Sequence, residues 1–427
     1  MSVAKSRGKW VLSAILLAAV AVVLALPQEA AAVPAFARQT GMACTACHFQ
    51  HYPAINAFGR AFKMGGFTLK GGQSMVEAEA LSIPVALNAS LITKVRFQKT
   101  NGDSGEGTDF GNLQFPDEAA LLIGGRAGEH VGFLLEFATF GEAAGSVNPD
   151  NTVDSEFSLF GSYKVHFNYT FNEFNVGAVL FSTDAGGAAY GFELLNTGAQ
   201  RFQRVAEERS TTSAQQFVGL GAGSAEGIAF VASHRLGFAN FSLWTPDHGN
   251  VAINKPAYYL RAAATPTVLG WDLGFGFQYF GGTASRSDAS GGDVEPEGWA
   301  LDAQAQGTVI GRPLGVYAAY AKAEPSATNI FNASAAGNAK DRDAWSILAE
   351  FGVIPNKWTV FAGYLKGDRG GTAVRTEDNA ITVGTTVMLA QNVEIQLSNV
   401  SFDGDRYDPK PTTGGDNRTT LMLFAGF

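Results

Sequence analysis

The chain has 427 residues, of which 51 are glycine and only 16% are charged, and it carries a formal net charge of −9. Glycine at about 12% exceeds the usual ~7%, and the charged share falls below the usual ~25%. That balance argues against a helical bundle, and an acidic chain with no basic patch argues against nucleic-acid binding.

Residues 1–32 read as an export signal. Lys5, Arg7 and Lys9 form a positive flank, Trp10 to Leu26 an apolar stretch, and Ala30-Ala31-Ala32 a small-residue cleavage site. The alternative is a membrane anchor, for which the apolar run is slightly short. Removing the leader takes Lys5, Arg7, Lys9 and Glu29 and leaves 27 basic and 38 acidic side chains, a net of −11. No later run is long and apolar enough for a transmembrane helix, although a β-barrel gives a far weaker signal per strand.

The only two cysteines lie in Cys44-Thr45-Ala46-Cys47-His48. C-x-x-C-H is the attachment signature of c-type haem. Two thiols on one short turn reach the two vinyl groups of a single haem, and the next histidine falls under the iron as axial ligand. A Cys44–Cys47 disulfide is the plain alternative. A thioredoxin-type redox pair expects a βαβ context that this chain lacks. One motif predicts one covalently bound haem c, with His48 as proximal ligand.

The sixth ligand stays open. Met42 is too close to the attachment turn, whereas Met64 and Met75 follow His48 by 16 and 27 residues, and either can serve. His51 is a weak alternative on the same turn. His130, His166, His234 and His248 read as ordinary strand or loop residues. The segment 33–78 is a small α-helical cytochrome unit, too short to bury a haem by itself. The rest of the chain must supply the missing walls.

From residue 79 to 427 the pattern is alternation. Leu81, Ile83, Val85, Leu87, Ala89, Leu91, Val95 and Phe97 share one face, opposite Lys94, Arg96 and Gln98. The same period recurs at Tyr163, Val165 and Phe167, at Trp271, Leu273, Phe275, Phe277 and Tyr279, and at Val393, Ile395 and Leu397. A soluble sandwich would alternate likewise, so the connections decide. Long polar stretches near 100–115, 141–156, 183–214, 245–256, 282–296, 323–342, 367–379 and 403–417 alternate with short turns near 127–130, 169–173, 221–225, 265–269, 309–313, 354–357 and 389–392. Fifteen connections join sixteen strands, or eighteen if 226–244 divides. Long loops on one side and short turns on the other suit an all-β, transmembrane antiparallel barrel of the outer membrane, with apolar faces to lipid and polar faces to a lumen. The C-terminal Leu421-Met422-Leu423-Phe424-Ala425-Gly426-Phe427, closing on an aromatic residue, fits the same class.

The loops are acidic: Asp103, Glu106 and Asp109 in the first, Asp288, Asp293, Glu295 and Glu297 in the fifth, and Asp403, Asp405, Asp408 and Asp416 in the last. They form either a solvated exterior or a collector of cations. A haem tethered to a barrel either plugs or caps the lumen.

The run from Ala35-Phe36-Ala37-Arg38-Gln39-Thr40-Gly41-Met42-Ala43 through Cys44 to His48, and on through Phe49-Gln50-His51-Tyr52-Pro53-Ala54-Ile55-Asn56-Ala57-Phe58-Gly59-Arg60-Ala61-Phe62-Lys63, resembles the fused outer-membrane monohaem cytochrome c–porin family of ferrous iron oxidases. The likeness is specific over about residues 34–98 and architectural beyond. It implies oxidation of extracellular Fe(II), with the electron passing through the single haem to a periplasmic c-type cytochrome or other soluble acceptor. Other readings are an electron conduit with a different donor or direction, and a porin whose haem plug acts as a sensor.

Overall fold

The computed structural model describes residues 35–79, 81–103, 108–140, 162–187, 205–221, 225–246, 255–286 and 292–427. The leader 1–32 and His248 lie outside the described residues.

Sixteen antiparallel strands close into a barrel. They are β1 (Ala89–Thr100), β2 (Asn112–Arg126), β3 (Val131–Phe140), β4 (Ser162–Phe171), β5 (Phe174–Thr183), β6 (Ala225–His234), β7 (Gly237–Pro246) and β8 (Ala257–Ala264), followed by β9 (Trp271–Gly281), β10 (Gly298–Val309), β11 (Arg312–Ala323), β12 (Arg342–Ile354), β13 (Trp358–Asp368), β14 (Asn379–Ala390), β15 (Val393–Asp403) and β16 (Asn417–Gly426). Each pairs with its neighbour in sequence. The cylinder shuts where β16 meets β1, with Arg418 opposite Thr100 and Gly426 opposite Ile92. No described helix is long and apolar enough to cross a membrane, so any crossing is made by the strands.

The expected total of sixteen holds through two compensating misreadings. The stretch 214–221, expected as a strand, contains the helix α3 (Ala214–Val218) inside the long β5–β6 connection. The stretch 226–244, the one place where the count was open, is the hairpin β6–β7, with Arg235 and Leu236 between the strands. Neither residue is a usual hairpin-turn type, which hid the turn. The first strand also starts later than expected. Residues 75–84 form a separate ribbon, Met75–Glu77 against Ser82–Pro84, with Val76 opposite Ile83. Pro84 has no backbone N–H to extend a ladder.

The alternation sorts the faces as a membrane barrel requires. Leu91, Phe97, Phe167, Phe275, Leu397 and Leu421 are exposed on the outside, while Lys94, Gln98, His166, Gln278, Gln396 and Thr420 are buried on the inside. Toward the long-loop end the outer face carries aromatic pairs, Trp299 on Tyr320 at 5.3 Å and Trp345 on Tyr364 at 5.2 Å. Such rings suit the headgroup level of a bilayer. The loop carboxylates are largely engaged locally: Asp403 with Lys410, Asp293 with Ser285, and Asp405 accepting from the Glu377 backbone N–H. That pairing favours the solvated-exterior reading of the acidic loops over a collector.

Two segments fill the lumen. At the short-turn end lies the N-terminal plug, with α1 (Ala35–Thr40), a 3-10 turn over Cys44–Ala46 and α2 (Ala57–Met64). It touches wall strands all round the barrel. Arg60 grips Asp272 of β9 with two hydrogen bonds, at 2.7 and 3.1 Å. Gln306 of β10 donates to the Ile55 carbonyl, and Thr359 of β13 donates to Gln50. On the other side Gly132 of β3 meets Gly66 so closely that a Cβ at 132 would lie 1.7 Å from the Gly66 carbonyl oxygen. The second segment is the inner part of the β5–β6 connection, 205–221. Its Glu207 accepts from Arg96, its Glu208 accepts from Arg418, and the Ala214 backbone N–H donates to Ser346.

Candidate cofactor cleft

The attachment turn is built from local hydrogen bonds. Cys47 and His48 both donate backbone N–H groups to the Cys44 carbonyl, at 3.1 and 2.9 Å. The chain then doubles back, and Phe49 donates to Ala54 at 2.9 Å. Asn56 joins turn and helix. Its side-chain oxygen caps α2 by accepting from Gly59, its amide donates to the Ala46 carbonyl, and its backbone N–H donates to Cys47. Substituting Asn56→Ala is expected to cost about 1 kcal/mol as a lost cap, read as a lower melting temperature of the plug's spectroscopic signal. Gly59 faces the same turn. A Cβ there would lie 2.2 Å from the Cys47 carbonyl oxygen. Gly59→Ala therefore forces the turn off the helix and is expected to disturb the cleft more than Asn56→Ala, in the same melting experiment.

Cys44 and Cys47 are free thiols, which removes the disulfide alternative from this structure. Burial pushes both up, and the neighbouring Cys44 adds to the effect on Cys47, which reaches about 11. His48 is oriented by its Nδ1, 3.2 Å from the Ala54 carbonyl. Burial pushes this imidazole down to about 4, so the ring is neutral, the form that binds metals. A backbone carbonyl on the far ring nitrogen is the usual means of fixing the tautomer of a ligating histidine.

The two thiols and His48 line a narrow, largely apolar cleft between plug and barrel wall. Phe36 and Phe62 come from the plug, Ile92 from β1, Leu122 from β2, Leu134 from β3 and Phe424 from β16. Tyr52 completes it, with its ring 5.1 Å from His48 and stacked 4.5 Å from Phe424. Two thiols, a neutral imidazole and apolar walls are the donor set and surroundings that a covalently attached haem requires. The residues present fit that group.

The structure brings neither expected distal methionine to the cleft. Met64 is buried in the core cluster with Val179 and Val231 of the barrel wall, and Met75 opens the small ribbon. Both are carried away by chain that turns back from the cleft after Phe62. Met42, set aside as too close, does line it. His51 is spoken for: Nδ1 lies 3.0 Å from the Tyr52 carbonyl and Nε2 3.1 Å from Glu350 of β12. His130 and His234 sit at short turns, stacked near Tyr169 and Phe174. His166 is buried against Phe67, away from the cleft. Among the described residues no three histidine, cysteine or carboxylate side chains stand together as a metal site.

The cleft's walls could not be read from the sequence, since they come from strands far along the chain. Of the aromatic rings around it, Phe36, Tyr52 and Phe62 lie inside the motif-bearing stretch, and there they carried no separate signal.

No family model matches the chain, and no curated protein matches it. Solved structures do. Pseudomonas putida OprB aligns at 11% identity over 80% of this chain and 94% of its own, with a TM-score of 0.54. OmpT of Vibrio cholerae aligns at 12% identity over 83% and 100%, with a TM-score of 0.44. The outer membrane channel DcaP of Acinetobacter baumannii aligns at 12% identity over 80% and 97%, with a TM-score of 0.45. The chain thus shares the antiparallel barrel fold of OprB, here with sixteen strands.

Proposed function

We propose that the protein is an outer-membrane electron-transfer protein that takes electrons from Fe(II) at or within the barrel and delivers them to a soluble periplasmic acceptor such as a c-type cytochrome. The observation that carries this reading is the pairing of Cys44, Cys47 and His48 with an apolar cleft at the short-turn end of a membrane barrel. The motif resemblance supplies the donor, Fe(II). Short turns face the periplasm in barrels of this class, which puts the plug on the acceptor's side.

Bound in the cleft, a haem c would supply a one-electron redox centre inside an insulating layer. The chain's own residues do the rest. Cys44 and Cys47 would hold the group by covalent bonds, and His48 would supply the imidazole ligand to the iron. Phe36, Phe62, Leu122, Leu134 and Phe424 keep water from it, and a dry, apolar setting disfavours the more highly charged oxidised form. Met42 is the thioether available at the cleft. Arg60–Asp272 and His51–Glu350 pin the plug so that the distance across it stays fixed.

Stopped-flow mixing of the oxidised, detergent-purified protein with Fe(II) tests this. Rapid appearance of reduced haem bands, lost on His48→Ala, is the expected result. Reduction by dithionite but not by Fe(II) overturns the iron reading and leaves a conduit with another donor.

A second reading has one observation in its favour. Asn240, Ser242 and Gln304 line the lumen on the side away from the inward loop, buried and without a hydrogen-bond partner. Polar groups of that kind call for water, and a wet passage suits a porin whose plug is a sensor. Planar-bilayer conductance of the wild-type protein separates the two: a sealed barrel supports electron transfer alone, and an open one supports solute passage.

A further inference from the structure

Glu394 of β15 stands immediately behind the cleft. Its place on the strand turns it inward beside Gln396 and Ser398, and it lies opposite Phe424, the ring on which Tyr52 stacks. The residue is 2% exposed. It accepts a hydrogen bond from the Tyr52 backbone N–H, and its Oε2 is buried with no hydrogen-bond partner. The ionisable groups facing it are His51 of the plug, Glu207 of the inward loop and Lys94 of β1. His51 is already committed to Glu350, and Lys94 to Glu118 and Glu207. Neither cation hydrogen-bonds Glu394 Oε2, so their attraction reaches the carboxylate only from a distance, against the repulsion of Glu207.

A buried carboxyl oxygen without a partner is costly when ionised. It is much less so when protonated. The connection to the cleft is short: Glu394 holds the Tyr52 backbone, and the Tyr52 ring lies 5.1 Å from His48. A buried carboxylate that holds the Tyr52 backbone, with the Tyr52 ring against His48, lies close enough in sparsely polar surroundings for a negative charge arriving in the cleft to act on it.

We propose that Glu394 is the proton-accepting site coupled to the redox centre in the cleft: it takes one proton from lumen water as the haem iron takes one electron from the donor. The carboxylate becomes a carboxylic acid as the ferric iron becomes ferrous, so the net charge of the cleft and its surroundings does not change. On reoxidation the periplasmic acceptor takes the electron and Glu394 returns the proton. The inference rests on the haem reading and is independent of the identity of the donor.

The sign follows from like-charge interaction. The added electron raises the proton affinity of Glu394. Between its proton affinities in the two redox states, reduction becomes harder as pH rises. At full coupling the reduction equilibrium constant falls tenfold per pH unit, 59 mV for a one-electron couple.

The test is a spectroelectrochemical titration of the purified holoprotein over about pH 5 to 8, a range that also covers histidine. The wild type is expected to show a potential that falls with pH. Glu394→Gln keeps an acceptor for Tyr52 but binds no proton, and its potential should be flat and close to the wild-type value at low pH. His51→Gln should keep the slope. A pH-independent wild-type potential overturns the proposal, as does a slope that survives Glu394→Gln or vanishes in His51→Gln. A pH-indicator dye in weakly buffered wild-type protein gives a second measurement that needs no variant. Uptake of one proton per electron on dithionite reduction supports the proposal, and none overturns it. Absence of haem bands from the wild type is a different result and overturns the haem reading itself.

Discussion

Replacing Cys44 and Cys47 together by alanine is expected to abolish covalent haem attachment and all reduction by Fe(II), while leaving the barrel folded. The reason is a division of labour visible in the structure. The barrel is held by ladders from strand to strand, closed by nine residue pairs between β16 and β1. Neither thiol takes part in them. The thiols project into the cleft, where their only neighbours are the plug and the wall residues around it. Peroxidase staining after denaturing electrophoresis reads attachment, and the mobility difference between heated and unheated samples reads the barrel. Haem that survives denaturation in the double variant would defeat the assignment of both cysteines. His48→Ala separates the roles further: it should keep the covalent stain yet shift the absorption bands, because the thioether bonds do not need the imidazole.

The second large effect concerns the plug rather than the cofactor. Glu350→Ala leaves His51 as a buried cation whose nearest acceptor is gone. Breaking one side of a buried pair typically costs about 3–5 kcal/mol. Here the loss spreads, because Tyr317 donates to the same carboxylate at 2.6 Å and Gln306 bridges Tyr317 to the Ile55 carbonyl of the plug. The expected result is a plug that releases from the wall, seen as raised single-channel conductance and as new proteolytic cleavage between Cys44 and Lys63. Replacing both His51 and Glu350 by leucine should cost less than Glu350→Ala alone, since no unpaired charge remains. The reverse order would sink this account of the seal.

The same pair makes the seal dependent on pH. Burial works against the charge on His51, but the Glu350 carboxylate, with the more distant charge of Glu394, outweighs it and raises the group to about 9. A histidine raised above its ordinary value, about 6.5, stabilises the docked plug fully below that value. The contribution is lost as pH rises through about 9. Conductance of the wild type should therefore be lowest in acid and neutral solution and should rise in alkali.

Much of this could be read along the chain, and the limits have a physical shape. Alternation of apolar and polar residues is a local property, so the two faces of β1, β9 and β15 were legible from Leu91 against Lys94, Phe275 against Gln278 and Leu397 against Gln396. The C-x-x-C-H turn is local too. The failures are of another kind. Arg235 and Leu236 make a tight turn without glycine or asparagine, because the flanking strands impose it. Ala214–Val218 forms a helix although Val218 and Leu220 alternate like a strand, because it packs on the inner wall of β11 and β12 instead of pairing. The partners of the plug are separated from it by hundreds of residues: His51 meets Glu350, and Arg60 meets Asp272. No periodicity encodes such a meeting. The placing of Met64 in the barrel-wall core and of Met75 in the ribbon, with Met42 at the cleft, was likewise not legible from spacing along the chain.

The cleft straddles the seam at which the cylinder shuts. Ser90 and Ile92 belong to the first strand, Phe424 and Gly426 to the last, and all four line it. Half of its wall is therefore missing until the final strand has been made and docked. On the proposed haem reading this sets an order for biogenesis: the thiols would be modified while the N-terminal segment is still an open chain, and the strands would then wrap around a segment already loaded. A chain cut short before Leu421 would lose the joint and the pocket in one stroke.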